Sequence, residues 1–172
     1  MKEQLIQVMN ESIKLESHVA DLYMIFGEAF PEDCAFWYQL HMEEKNHTSI
    51  IQSAREAWLS ERQPPLELLA PNVDELIELN NKLAFLLEEY KENPPSRELA
   101  FNLAVDLEES AGEAHLQNAM EQPPTSALME LFQMLTGDDK KHAGRIRNYM
   151  RDKGIKIRSQ LTKSTSHKNG TH

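Results

Sequence analysis

The chain has 172 residues, of which 40% are apolar and 27% are charged, a size and balance typical of one soluble globular domain. Its net charge of -10 at pH 7 argues against nucleic acid as the main partner. A single cysteine, Cys34, excludes an internal disulfide and a Cys-x-x-Cys motif, and no apolar run is long enough for a signal peptide or a membrane span.

The sequence pattern predicts amphipathic helices over nearly all of the chain. Gly is scarce, paired prolines mark the joints, and no stretch shows the sustained alternation of a strand. The first helix is predicted over residues 2–30 and the second over residues 36–58, with Pro31 near the start of the second. Because the turn between them is short, the two helices are expected to be antiparallel neighbours.

The second half of the chain predicts three more helices. A third helix over residues 73–90, capped by Asn72, is too long to be a structureless loop and is interpreted as a crossover helix. Ser96 is placed to cap a fourth helix over residues 97–120. The fifth helix is predicted over residues 126–150, after another short joint.

The predicted fold is all-α, with two helical hairpins forming a four-helix bundle and a crossover helix between them, over residues 1–150. Residues 151–172 carry six Lys and Arg and one Asp, hence a charge of +5. Because the whole chain has a net charge of -10, residues 1–150 carry -15. This basic tail is predicted to be disordered. Without a membrane or secretion signal, the sequence predicts a cytoplasmic protein.

Two polar residues interrupt the apolar stripe of the second helix. Glu44 and His47 are one turn apart and therefore face the same side. Leu40 and Ile51 lie on that side too, which predicts that both polar groups are buried. A desolvated carboxylate needs a partner, and a metal ion satisfies a carboxylate and an imidazole together.

The same interruption recurs in three other helices. The segments around Glu16 and Glu108 form a weak internal repeat, and each is followed by a helical hairpin and then by an acid-x-x-His sequence. Several carboxylates buried together would repel one another without a cation. The sequence therefore predicts a metal site formed by Glu16, Glu44, His47, Glu108, Asp139 and His142.

This order of residues resembles the ferritin-like di-iron and di-manganese proteins, in which two helices supply a Glu and two supply Glu-x-x-His. Within that superfamily the chain is most similar to the rubrerythrin branch, since Phe36-Trp37 and Glu43-Glu44-Lys45-Asn46-His47 look like rubrerythrin-type sequences. The resemblance covers about residues 5–150. It implies a ferritin-like bundle with two iron ions, or manganese, and an oxidoreductase that oxidises Fe²⁺ or reduces O₂ or peroxide.

The resemblance also assigns roles to the six residues: Glu16 and His47 as terminal ligands of one metal, Glu108 and His142 of the other, and Glu44 and Asp139 as bridges. Tyr23 and His115 lie two turns after the terminal glutamates, and each is either an oxidisable neighbour of the metals or a cap on the polar core. Asp139 departs from the family, which has Glu there, and its shorter reach weakens bridging. The four cysteines of a rubredoxin domain are absent, so electrons would come from another protein or from Fe²⁺.

Two alternatives stay open at this point. The site could bind or pass on a metal with little turnover, or the fold could persist as a metal-free helical interaction module with a decayed site. Apolar surface on the crossover helix also permits a homodimer. Analogy of fold does not choose among these functions.

Overall fold

The computed structural model describes residues 2–59, 73–114 and 127–158. These residues are all-helical, which confirms the predicted all-α class for this part of the chain. None of the described helices combines the length and apolar character that a membrane crossing requires. The five helices are α1 (Lys2–Ala29), α2 (Cys34–Leu59), α3 (Val73–Glu92), α4 (Arg97–Ala114) and α5 (Ala127–Asp152), with a 3-10 turn at Pro31–Asp33 between α1 and α2.

Helices α1 and α2 are antiparallel, as the short turn between them predicts. His41 Nδ1 lies 2.7 Å from the carbonyl oxygen of Ala20 near the turn, and Arg55 donates to Asn10 at the other end of the pair, over 2.6 Å. The two backbones approach closely at Gly27, where an added Cβ would lie 3.4 Å from the Cβ of Trp37. The turn begins at Pro31, whose missing N–H has no helical partner to lose.

The third predicted helix is a helix in the structure, α3, and it packs along α1. The buried side chain of Asn80 joins the two helices: its Nδ2 donates to both the backbone oxygen and the Oε2 of Glu11, each over 2.9 Å. Its Oδ1 lies 3.2 Å from His18 Nδ1. Leucines flank this polar group on the same side of α3, and the buried ones are Leu76, Leu83 and Leu87. Asn72, the predicted cap of this helix, lies outside the described residues.

Helices α4 and α5 form the second antiparallel pair. The predicted cap at Ser96 is confirmed, because its Oγ accepts the backbone N–H of Leu99 over 3.3 Å. Arg147 on α5 lies 2.6 Å from Glu109 on α4. The fourth helix is described as far as Ala114, and the remainder of the predicted range up to residue 120 lies outside the described part.

An aromatic layer joins the two helical pairs. Trp37 on α2 is fully buried, and its ring centroid lies 4.4 Å from that of Phe101 on α4 and 5.5 Å from that of Tyr23 on α1. Phe36 stacks on Tyr149 of α5 with a centroid separation of 4.0 Å. Burying such large rings gives the core much of its favourable free energy and fixes how the pairs meet.

Asp33 ties the α1–α2 turn to the other pair of helices. Its carboxylate, 1% exposed as a residue, accepts two hydrogen bonds from Arg97 at 2.6 and 2.8 Å and one from the Tyr149 hydroxyl at 2.8 Å. Burial opposes ionisation, but these donors hold the pKa of Asp33 below its usual value. The turn, the start of α4 and the end of α5 are therefore held together at one point.

The first residues of the predicted tail pack against the helices. The backbone N–H of Ile155 donates to the carbonyl of Met150 over 2.8 Å, across Gly154 with its φ of 65°, a helix end that favours glycine. Ile155 is buried in the core. Asn102 then donates to the carbonyl of Lys156 over 2.9 Å and accepts the N–H of Arg158 over 2.8 Å. The remainder of the predicted tail, from residue 159, lies outside the described part.

Candidate metal centre

Helix α2 presents Glu44 and His47 to the interior, as their spacing predicts. Glu44 is 2% exposed and His47 is 4% exposed. The hydroxyl of Thr48 donates to the backbone oxygen of Glu44 over 3.0 Å and also lies 3.5 Å from Ser17 on α1. The low exposure of Glu44 and His47 shows that the two polar groups have little access to water.

The first group of candidate ligands joins α1 and α2. His47 Nδ1 lies 3.1 Å from Glu44 Oε2 and 3.5 Å from Glu16 Oε2. Glu16 is buried as well. One oxygen or nitrogen from each of the three residues lies within 4.8 Å of the other two, a separation that lets them bind one ion together.

The second group joins α2 to α4 and α5 and uses Glu44 again. His142 Nδ1 lies 2.8 Å from Glu44 Oε1 and 3.5 Å from Glu108 Oε2. Glu108 and His142 are both buried, and the three ligand atoms again lie within 4.8 Å of one another. Glu44 thus belongs to both groups, with one carboxylate oxygen facing each histidine.

The two imidazoles are arranged as a pair. The rings of His47 and His142 are 5.5 Å apart between centroids and only 6° from parallel. Each presents its Nδ1 to the carboxylates, and the two nitrogens lie next to different oxygens of Glu44. A carboxylate between two such nitrogens has the disposition of a bridging ligand for two ions.

Two buried atoms at this point have no hydrogen-bond partner among the described residues. Glu44 Oε1 and His142 Nδ1 are 2.8 Å apart, yet they are not aligned for a hydrogen bond with each other or with a third group. Leaving such atoms without a partner is costly in a protein interior. A cation that accepts an electron pair from each would satisfy both, and the donor set therefore fits a metal.

The charges within the cluster are strongly coupled. Burial raises the pKa of Glu44 to about 7, and the carboxylates of Glu108 and Glu16 add to that rise against the opposing effect of the histidines. Burial lowers the pKa of both imidazoles, but the adjacent carboxylates outweigh it and raise that of His47 to about 11 and that of His142 to about 10. Protons on the imidazoles therefore compensate the carboxylates when no metal does so.

Tyr23, one of the two predicted neighbours of the site, lies beside it. The fully buried hydroxyl of Tyr23 donates a short hydrogen bond to Glu108 Oε1, which leaves Glu108 Oε2 facing His142. The hydroxyl thereby orients one of the candidate ligands. The other predicted neighbour, His115, lies outside the described residues.

Five of the six predicted ligands meet at one place, namely Glu16, Glu44, His47, Glu108 and His142. Helix α5 runs through Asp139, but its side chain lies outside the part that the structure describes. Its predicted bridging role stays a prediction. Among the described residues, Glu44 is the carboxylate that both groups share.

The structure also places the carboxylate of Glu43 next to the outer ring nitrogen of His142, a contact that the sequence did not indicate. Glu43 Oε2 lies 3.0 Å from His142 Nε2, the ring nitrogen that faces away from Glu44. Arg145 donates to both oxygens of Glu43, and Gln39 donates to one of them. Despite burial, these partners hold the pKa of Glu43 below its usual value. A metal-binding histidine commonly has such a partner on its other nitrogen.

Comparison with known proteins identifies no relative. No protein-family model, no curated protein and no solved structure matches this chain. The arrangement of the side chains is therefore the basis on which a function can be proposed.

Proposed function

We propose that this chain is a non-haem dinuclear metal protein with a ferritin-like four-helix bundle, which oxidises Fe²⁺ or reduces O₂ or peroxide. Iron is the preferred metal and manganese the alternative, because carboxylate and imidazole ligands without thiolate suit both. The bundle would consist of the α1–α2 and α4–α5 pairs, with α3 as the crossover helix.

The observation that carries the proposal is the position of Glu44 between two histidines. Its two oxygens face His47 and His142 separately, and each histidine is accompanied by one further carboxylate, from Glu16 or Glu108. This provides two ion sites with three protein ligands each and one ligand in common. Sites of this kind leave coordination positions open for a small oxidant.

The bound metals would supply the electrons and the template on which O₂ or peroxide is reduced. The protein would hold them at a short separation and orient the ligands. Tyr23 fixes Glu108 by its hydrogen bond, and Glu43 fixes His142 through the outer ring nitrogen. A single cysteine is too few for a rubredoxin-type centre in this chain, so a separate donor protein or Fe²⁺ would provide further electrons.

Anaerobic loading with Fe²⁺ followed by metal analysis tests the site directly. We expect two irons per chain, and we expect Glu44→Gln to lower that number because it removes the shared charge while keeping the size of the side chain. Glu56→Gln is the matched control, since Glu56 is exposed on the same helix. Less than one iron per wild-type chain would exclude the dinuclear proposal and favour a metal-free interaction module.

A second test concerns turnover. Addition of air to the loaded protein should oxidise Fe²⁺ faster than in protein-free buffer, as monitored by absorbance. The rate should fall in Glu44→Gln but not in Glu56→Gln. Equal rates in both variants would exclude the proposed oxidoreductase function but would not exclude metal binding.

Reversible metal binding with little turnover is the second candidate. It is favoured by the raised pKa values of His47 and His142, about 11 and 10, because protonated imidazoles can replace the metal as counter-charges. A protein that keeps its fold after the metal leaves can hand the metal on. Stoichiometric loading, unchanged fold after chelation and no accelerated Fe²⁺ oxidation would together favour this function.

A further inference from the structure

The aromatic layer between the helical pairs reaches the candidate metal centre. The hydroxyl of Tyr23 donates a short hydrogen bond to Glu108, one of the candidate ligands. The rings of Tyr23 and Trp37 lie 5.5 Å apart between centroids. Trp37 is fully buried on α2, two turns before Glu44. The layer therefore begins at a ligand of the proposed centre.

The same layer continues from Trp37 to the surface at the end of the bundle. The ring of Phe101 lies 4.4 Å from that of Trp37 and 5.6 Å from that of Tyr149, between centroids. Phe36 forms a second link, with its ring 5.6 Å from Trp37 and 4.0 Å from Tyr149. Because Tyr149 is only partly buried, the aromatic rings connect the centre with the outside of the protein.

The proposed reaction needs more electrons than two irons hold. Complete reduction of O₂ to two molecules of water takes four electrons, together with four protons from the solvent. Two Fe²⁺ ions that become Fe³⁺ supply two of these electrons, so the reaction stops at peroxide unless two more arrive. A single cysteine cannot provide the pair by forming an internal disulfide. Phenol and indole side chains, by contrast, each give up single electrons to a strong oxidant.

Hydrogen bonds accommodate the protons of the two tyrosines. A phenol loses its proton when it is oxidised, and the hydroxyl of Tyr149 already donates to Asp33 Oδ1 over 2.8 Å. The hydroxyl of Tyr23 has Glu108 as its acceptor. Trp37 Nε1 has no hydrogen-bond partner among the described residues, so the oxidised indole would keep its proton as a cation. Burial destabilises such a cation, which suits Trp37 to a short-lived step between two tyrosines.

We propose that Tyr23, Trp37 and Tyr149 form an electron relay, which carries electrons one at a time from the bundle end at Tyr149 to the metal centre. Each electron leaves an external one-electron donor, which is oxidised, and two such electrons complete the reduction of O₂ to water. The three side chains end unchanged, because the protons return to the two hydroxyl groups. The inference rests on the proposed function, which supplies the oxidant, but conduction through the rings can be tested without metal.

A photo-oxidant on Cys34 tests conduction in the metal-free full chain. Cys34 is the single cysteine, is exposed and lies one turn before Trp37. A ruthenium polypyridyl label on its thiol becomes a strong oxidant after a laser flash in the presence of methyl viologen. In a chain with Tyr38→Phe and Tyr90→Phe, the two tyrosines of the relay are the ones that remain. Transient absorbance should then show an indole radical followed by a phenoxyl radical.

The role of Trp37 is measured with Tyr23 as the last tyrosine, after addition of Tyr149→Phe. Trp37→Phe should abolish the phenoxyl signal, because it removes the step between the label and the buried phenol. Trp58→Phe, which changes the other tryptophan of the chain, is the matched control and should leave the signal unchanged. Circular dichroism verifies the fold of both variants. Equal phenoxyl yields in the two variants, or no phenoxyl radical at Tyr23 in their parent, would overturn the inference.

A second experiment places the relay in the reaction. The Fe²⁺-loaded chain is mixed with O₂ and frozen, and electron paramagnetic resonance should detect an organic radical whose spectrum narrows with ring-deuterated tyrosine. With ascorbate as the donor, Tyr149→Phe should release more peroxide per O₂ consumed than the wild type. Tyr38→Phe, at an exposed tyrosine of α2, should release no more than the wild type.

The two experiments distinguish this inference from the proposed function. Rapid Fe²⁺ oxidation with no organic radical and equal peroxide release in all variants would refute the relay alone. Fe²⁺ oxidation no faster than in protein-free buffer would refute the proposed function, and the relay with it.

Discussion

Glu43 Oε2 lies 3.0 Å from His142 Nε2, on the opposite side of the ring from Glu44. The carboxylate is itself held by Arg145, so the imidazole is fixed from behind by a charged pair. The orientation of His142 therefore depends on a residue that contacts neither Glu108 nor the ring nitrogen proposed to bind metal.

Glu43→Ala should weaken metal binding at the second group by 10- to 100-fold, the usual effect of removing the partner of a ligand histidine. Glu43→Gln should lose less, because the amide oxygen still accepts a hydrogen bond from His142 Nε2. A competitive titration with Co²⁺ and a chromophoric chelator measures the change. Identical affinities for Ala, Gln and wild type would show that Glu43 does not position the histidine.

Stability of the metal-free chain should fall as the pH rises. The folded-state pKa values of His47 and His142, about 11 and 10, lie above the usual 6.5, so the folded state binds more protons. This contribution is fully present below pH 6.5 and is lost as the pH rises through about 10 for His142 and about 11 for His47. Glu44 acts in the same direction from pH 4.5 to about 7.

Urea unfolding at pH 6 and pH 9 in the presence of a chelator measures this dependence. The free energy of unfolding should be lower at pH 9, and the difference should shrink in His47→Gln/His142→Gln. Because bound metal must displace these protons, metal-loaded protein should lose less stability over the same interval. A metal-free chain that is more stable at pH 9 would contradict the prediction.

Removal of the Asp33 carboxylate should destabilise the fold by about 2 kcal/mol or more, because Arg97 and Tyr149 would lose a buried acceptor. Asp33→Asn is the substitution of choice, and thermal or urea unfolding gives the change. Glu32→Gln, next to it and 60% exposed, is the control, since its distance to Arg97 is 3.7 Å and an exposed pair contributes little. Equal effects of the two substitutions would count against a structural role for Asp33.

Asn80→Ala should destabilise the docking of α3 on α1 by about 1–3 kcal/mol, because the buried acceptors of Glu11 would lose their donor. Asn81→Ala, one residue further along and exposed, should have an effect near zero. Urea unfolding of the two variants decides the point. A neutral Asn80→Ala would show that the apolar face of α3 alone holds the helix in place.

Periodicity was enough to predict the buried side of a helix where the structure describes the side chains concerned, as on α1 and α2. Glu44 and His47 share a face because they are one turn apart, and Ser96 caps α4 because its hydroxyl precedes a helix start. These features depend on a few neighbouring residues, so a single sequence contains the information needed.

Contacts between helices could not be predicted in the same way. Glu43 is adjacent to Glu44 and points to a different side of α2, and its role depends on how α5 is rotated and shifted so that His142 and Arg145 reach it. Asp33 likewise acquires its partners from the start of α4 and the end of α5. Packing of side chains distant in sequence determines that register, and helical spacing does not.

The side-chain amide of Asn102 forms hydrogen bonds with the backbone on both sides of Ile157. It donates to the carbonyl of Lys156 and accepts the N–H of Arg158. One amide side chain thereby does what a neighbouring strand would do for an extended segment, although α5 has already ended at Asp152. The amide proton of Arg158 should consequently exchange with solvent only when α4 opens, on the timescale of the interior rather than of a loose chain end.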